Sequence, residues 1–140
     1  GKEIWSATVE ENRRGYYISM APLVADGKVI VGTSGGELGV RGFLAAYDPD
    51  TGRQLWKVFT VPAPGEPGSE TWPAGGDQWK TGGGSIWVTG NYDPATKIAY
   101  FGTGNGGPWM GDQRPGDNLY TASTIAVDVT TGTIKGHQQY

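Results

Sequence analysis

"LAAYDPDTGRQLW", Leu44 to Trp56, has two echoes in the chain: "IAVDVTTGTIKG", Ile125 to Gly136, and the opening "GKEIW", Gly1 to Trp5. The shared phrase is a small residue, an aspartate two residues on, then Thr-Gly, then a tryptophan four residues after the glycine. At its centre the chain must reverse. Asp48 can accept backbone N–H groups in an Asx-turn, Pro49 presets φ, and Gly52 takes positive φ at low cost. The flanks "GFLAAY" and "QLWKVFTV" read as strands, so the phrase is a hairpin with a fixed turn. A tryptophan at the same place in each repeat predicts an indole stacked between neighbouring sheets, over the small residue Ala46.

The phrase glycines are Gly1, Gly52 and Gly132. The first interval matches the roughly 40–50 residues of one four-stranded propeller blade. The second is longer by an insertion, "VPAPGEPGSETWPAGGDQWKTGGG", Val61 to Gly84, which is rich in Pro and Gly and has no strand period. Two further hairpins are legible, one turning at Asp26-Gly27 and one at Asp93-Pro94. Repeated four-stranded units with an inter-sheet tryptophan predict an all-β chain, two to three blades of a β-propeller. The third copy carries Gly136 where the tryptophan is expected, so that junction should pack differently. Two to three blades do not close a ring, and the chain reads as an internal piece of one propeller domain.

Composition agrees. Of 140 residues, 25 are glycine, 9 proline and 6 tryptophan, which favours short strands and turns over long helices. The net charge of −3 gives no basic surface for nucleic acid. There are no cysteines, which excludes disulfides and zinc–thiolate sites within these residues.

Chemistry is expected where strand logic breaks. In "TSGGELGVRG", Thr33 to Gly42, the pair Gly35-Gly36 would let backbone approach a flat ligand, with Glu37 beside it; a glycine-rich turn with a solvated glutamate is the alternative. In "YFGTGNGGPWMGD" the glycines 102, 104 and 107 satisfy a dinucleotide-binding spacing. Pro108-Trp109 and a loop follow, however, and no helix N-terminus is available for a pyrophosphate. Asn105 there offers a neutral hard oxygen ligand. Trp87 follows the glycines 82–84 and reads either as a packing tryptophan or as a face for a planar cofactor. His137 is alone in a strand and supports no Ser/His/Asp chemistry. The carboxylates of a glycosidase would have to come from Glu66, Glu70 and Asp77, all in the insertion.

Taken together, "SGGELGVRGFLAAYD", "VPAPGEPGSETWP", "WKTGGGSIWVTGNYDP", "FGTGN" and "GDNLYTAS" resemble the pyrroloquinoline quinone (PQQ)-dependent alcohol dehydrogenases of the methanol and ethanol dehydrogenase type. The resemblance implies an eight-bladed periplasmic propeller. Such an enzyme holds PQQ and one metal ion, calcium or a lanthanide, oxidises primary alcohols and passes electrons to a cytochrome c. Homodimers or heterotetramers are the implied full-length assemblies. Carried over by residue, Glu37 and Asn105 match the metal ligands. Trp87 matches the tryptophan against one face of PQQ. Ser34, Gly35 and Gly36 match the segment at the cofactor's edge, and Ser19 stands where the family usually has threonine. The aspartate that takes the alcohol proton is expected downstream of Tyr140, and the family's adjacent-cysteine ring upstream of Gly1. Gly106 stands where proline is common, which predicts a looser backbone after Asn105. The alternative is a non-catalytic periplasmic propeller scaffold of the outer-membrane assembly type, which shares the docking phrase but needs none of Glu37, Trp87 and Asn105.

Overall fold

The computed structural model describes all 140 residues. Eight strands form two four-stranded antiparallel meanders. The first contains β1 (Leu23–Ala25), β2 (Lys28–Gly32), β3 (Phe43–Tyr47) and β4 (Gln54–Phe59); the second contains β5 (Asn91–Asp93), β6 (Ile98–Gly102), β7 (Ser123–Asp128) and β8 (Ile134–Gln139). Each sheet runs in sequence order, as propeller blades do.

Burial follows from the pleat. Successive residues of β3 face opposite sides, yet all five are buried. Leu44 and Ala46 join a cluster with Ile30 from β2 and with Ala99, Phe101, Ile125 and Val127 of the second sheet. Phe43, Ala45 and Tyr47 join Tyr16, Val31 and Val40 on the other side. β3 is thus a central strand covered on both faces, whereas β7 alternates buried and half-buried residues. The layer between the two sheets is the main core, and each large aliphatic side chain in it contributes about 1.5–3 kcal/mol.

The repeated phrase builds the joint between sheets. Asp48 Oδ1 accepts from the backbone N–H groups of Asp50 and Thr51 and from the Thr51 hydroxyl, at 3.0, 2.9 and 2.9 Å. Gly52 follows at φ +71°. The tryptophan stands beside the small residue of its own phrase, as expected: Ala46 is its direct cross-strand partner, on the same face of the sheet, and Trp56 packs against the core cluster that contains it. The indole also lies on Gly132 of the next phrase, where an added Cβ would come within 2.8 Å of the ring. Its Nε1–H donates to the Val129 carbonyl at 3.0 Å. Trp5 repeats this one step earlier, over Gly52, donating to the Pro49 carbonyl at 2.6 Å. The physical reason is reach: an indole on β4 spans to the next turn, and only a glycine leaves that turn flat enough to receive it.

Residues 61–84 carry turns and two 3-10 helices, Ser69–Thr71 and Gln78–Thr81, and no strand. The buried Trp72 fastens them, donating to the Leu119 carbonyl at 2.6 Å. The insertion's carboxylates serve local structure. Glu66 pairs with Arg41 at 3.0 Å, Asp77 with Lys80 at 2.9 Å, and Glu70 accepts from the Gly68 N–H at 3.0 Å. His137, in β8, packs edge-on against Tyr120, with ring centroids 4.9 Å apart.

Candidate functional site

Glu37 and Asn105 occupy corresponding places in the two sheets. Glu37 lies in a 3-10 turn, Gly36–Leu38, that follows β2, and Asn105 follows β6; each is thus just past the second strand of its sheet. The segment 82–85, which leads toward β5, threads between the two loops and is hydrogen-bonded to both. On one side Gly83 N–H donates to the Val40 carbonyl at 2.9 Å, and Gly42 N–H to the Gly83 carbonyl at 2.7 Å. On the other, Gly84 N–H donates to the Asn105 carbonyl at 3.0 Å and Gly107 N–H to the Gly82 carbonyl at 2.9 Å. The backbone around Asn105 is therefore tied on both sides of Gly106. Arg114 adds a clamp, donating to the Pro108 and Trp109 carbonyls at 2.7 and 3.4 Å and to Asn118 Oδ1 at 2.5 Å.

These ties bring Glu37, Trp87 and Asn105 to the wall of one cavity of about 550 Å³, with Gly36, Ser85 and Trp109 among its other lining residues. Glu37 is the only charged residue in that lining. A smaller recess of about 170 Å³ adjoins it, lined by Tyr17, Ser19, Ser34 and Gly35 and sharing Glu37, Ser85 and Trp87 with it. Every site residue expected from the sequence borders one of these two spaces. The dinucleotide-type spacing at 102–107 is followed only by the short 3-10 turn Gly111–Gln113, so no helix N-terminus faces it.

Glu37 is exposed and accepts one side-chain hydrogen bond, from the Tyr17 hydroxyl to Oε1 at 2.7 Å. That bond holds the Glu37 carboxyl below the usual carboxylate range and pushes the Tyr17 phenol up. The carboxylate is thus ionised at neutral pH. Trp87 is 56% exposed, so much of its indole surface is free for stacking. Its backbone is held from behind: the Ser19 hydroxyl donates to the Trp87 carbonyl at 3.0 Å and lies 2.7 Å from Ser34 Oγ. A carbonyl only accepts, so the Ser19 hydrogen is committed to Trp87 and Ser34 donates to Ser19. Toward a ligand both hydroxyls then present lone pairs. Gly35, at φ +105°, uses its freedom to pack on the protein itself: an added Cβ would lie 2.1 Å from the Gly15 carbonyl oxygen.

Three residues at the site had not been singled out from the sequence. Ser85 Oγ is buried with no hydrogen-bond partner and borders both spaces. A buried hydroxyl without a partner is uncommon and points to a polar group that belongs there. Trp109, 81% exposed, stands at the rim. Tyr17 is the third. A large apolar residue in a glycine-rich loop was a legible signal for Trp109; no local signal marked Ser85 or Tyr17.

The donor set suits a hard cation. Glu37 offers carboxylate oxygens and Asn105 an amide oxygen, and nowhere does the chain assemble three His, Cys, Asp or Glu around one point. Two protein residues underfill a site that wants six or more oxygens, so the remaining oxygens would come from a bound molecule, from water or from residues outside this chain. A cavity of this size falls in the range of small-molecule and cofactor sites.

Comparison with known proteins identifies the family. Residues 3–140 match the family profile described as PQQ: glucose/ethanol/alcohol dehydrogenase, beta-propeller domain. The quinoprotein alcohol dehydrogenase PedH of Pseudomonas putida is 45% identical over 99% of this chain and 26% of its own length. The methanol dehydrogenase (cytochrome c) subunit 1 of Methylorubrum extorquens is 40% identical over 99% of this chain and 25% of its own. A solved europium-containing methanol dehydrogenase superposes with a TM-score of 0.90 at 38% identity, covering 99% of this chain and 27% of that one. The chain thus spans about a quarter of the length of the relatives it matches. With near-complete coverage at this identity, and two blades stacked through docked tryptophans, the chain belongs to the β-propeller family of the PQQ-type glucose, ethanol and alcohol dehydrogenases.

Proposed function

We propose that this chain supplies one wall of the cofactor and metal site of a periplasmic dehydrogenase. The enzyme oxidises primary alcohols to aldehydes with PQQ and calcium or a lanthanide, and passes the electrons to a cytochrome c. The observation that carries the reading is the convergence of Glu37, Trp87 and Asn105 on one cavity from segments far apart in the chain. The names of the relatives, which include a cytochrome c-linked methanol dehydrogenase and a europium-containing one, support the substrate class, the acceptor and the metal.

In this reading Glu37 and Asn105 hold the cation, Trp87 lies against the flat face of the quinone, and Ser34, Gly35, Gly36 and Ser85 border its edge. A cation held by Glu37 and Asn105 would supply Lewis-acid polarisation, and PQQ held beside Trp87 would supply the hydride-accepting carbonyl. The chain's own part is positional. Ser19 fixes the backbone of Trp87, and the 82–85 segment fixes the Asn105 loop against the Glu37 loop. Glu37, committed to the cation, is a poor proton acceptor, so the base that takes the alcohol proton comes from outside this chain.

The test is reconstitution of the full-length protein with PQQ and either calcium or a lanthanide, followed by dye reduction with ethanol. Turnover with at least one metal, lost in Glu37→Ala with the fold intact, is expected. Absence of turnover with both metals would favour a scaffold.

A further inference from the structure

The Tyr17 hydroxyl carries no part of the proposed function, yet it makes the only side-chain hydrogen bond to Glu37, at 2.7 Å. That length fits a charge-assisted bond from a neutral hydroxyl to a carboxylate. The phenol is aimed by backbone. Tyr17 forms an isolated antiparallel bridge with Ser34, whose N–H donates to the Tyr17 carbonyl at 2.8 Å. Two residues on, Ser19 meets Ser34 again through their hydroxyls. The 17–19 segment is thus zipped to the end of β2, and the ring reaches from that zipper across to the 3-10 turn bearing Glu37.

Resting on the metal reading above, we infer that Tyr17 is a positioning residue for Glu37. Its hydroxyl holds Oε1 and so orients the carboxylate with Oε2, and the free lone pair of Oε1, toward the cation. A glutamate side chain on an exposed turn otherwise loses rotamer freedom when it is ordered. Here that ordering is made before the cation arrives, as hydrogen bonds to ligating carboxylates generally do. A carboxylate has about four lone-pair sites, so one phenol does not displace the metal.

The experiment is terbium titration of the full-length protein, read by luminescence in the presence of PQQ, with thermal unfolding of each variant measured alongside. Tyr17→Phe is expected to bind terbium at least about 10-fold more weakly than the unaltered protein, with an unchanged unfolding temperature. Glu37→Gln is expected to lose most of the binding. Tyr17→Leu, which also lacks the hydroxyl, serves as the second variant and should weaken binding equally. If both Tyr17 variants bind terbium as tightly as the unaltered protein, or more tightly, while Glu37→Gln loses it, Tyr17 is a bystander or a competitor and the inference is overturned. If Glu37→Gln also retains full affinity, the metal assignment itself fails.

Discussion

The Trp56 indole rests on Gly132, in the turn between β7 and β8 of the next sheet, and donates its N–H to the Val129 carbonyl at 3.0 Å. Gly132 stands at φ +78°, so two requirements meet in one residue. Gly132→Ala is expected to destabilise the full-length protein by about 1–3 kcal/mol from backbone strain alone, with a further loss from displacing the ring. In a Trp56→Ala background only the backbone part should remain. A double-mutant cycle by calorimetry or denaturant unfolding checks this: a coupling near zero would mean that the stack contributes nothing.

Ser19 holds Trp87 from behind. Ser19→Ala removes that bond and the partner of the Ser34 hydroxyl, a loss of about 0.5–1.5 kcal/mol. Weaker PQQ binding, followed by quenching of protein fluorescence, is the expected result. Ser19→Thr, which keeps the hydroxyl, should bind PQQ as the unaltered protein does.

Arg114 clamps the loop that carries Asn105 and Trp109. Arg114→Ala leaves the buried Asn118 without its guanidinium partner and is expected to cost about 1–3 kcal/mol. Hydrogen exchange across residues 106–110 should accelerate. Lysine cannot reproduce a fork reaching the Pro108 and Trp109 carbonyls and Asn118 together, so Arg114→Lys should not restore protection.

Acid should loosen the turns before it loosens the core. The Thr51 hydroxyl, with the backbone N–H groups around it, holds the Asp48 carboxyl below its ordinary value, and the Thr96 hydroxyl with nearby N–H groups does the same for Asp93. A carboxylate with a depressed folded-state pKa contributes stability above its unfolded pKa and loses it as pH falls through the folded one. Unfolding temperature is therefore expected to drop below about pH 4, the ordinary aspartate region. Asp48→Asn should flatten that drop while lowering stability at pH 7. An unchanged acid profile in Asp48→Asn would remove Asp48 from this account.

Much of the fold was legible because the Asp-x-x-Thr-Gly turn requires particular residues at particular positions. Asp48 and Gly52 could be read as a turn, and Trp56 as an inter-sheet residue, from local chemistry. The neighbour that receives the indole was not legible. Period-2 patterns give the register within a sheet, but not the offset between sheets, so Ala46 could be named beside the ring while Gly132, which receives it from the next sheet, could not. The same limit governs the site. Glu37, Trp87 and Asn105 stood out because each breaks strand logic, but their convergence depends on the 82–85 segment being laced between two loops. Tyr17 and Ser85 matter only through that juxtaposition, and nothing in their immediate sequence announces it.

The central claim is that Glu37 and Asn105 hold one cation between them. The most direct measurement is a crystal structure of the full-length protein loaded with PQQ and europium, with the metal located by its anomalous scattering. The account predicts a single peak within about 2.3–2.6 Å of a Glu37 carboxylate oxygen and of the Asn105 amide oxygen, the range of hard cations of calcium's size. A fully occupied peak bound elsewhere, with neither residue among its ligands, would contradict it.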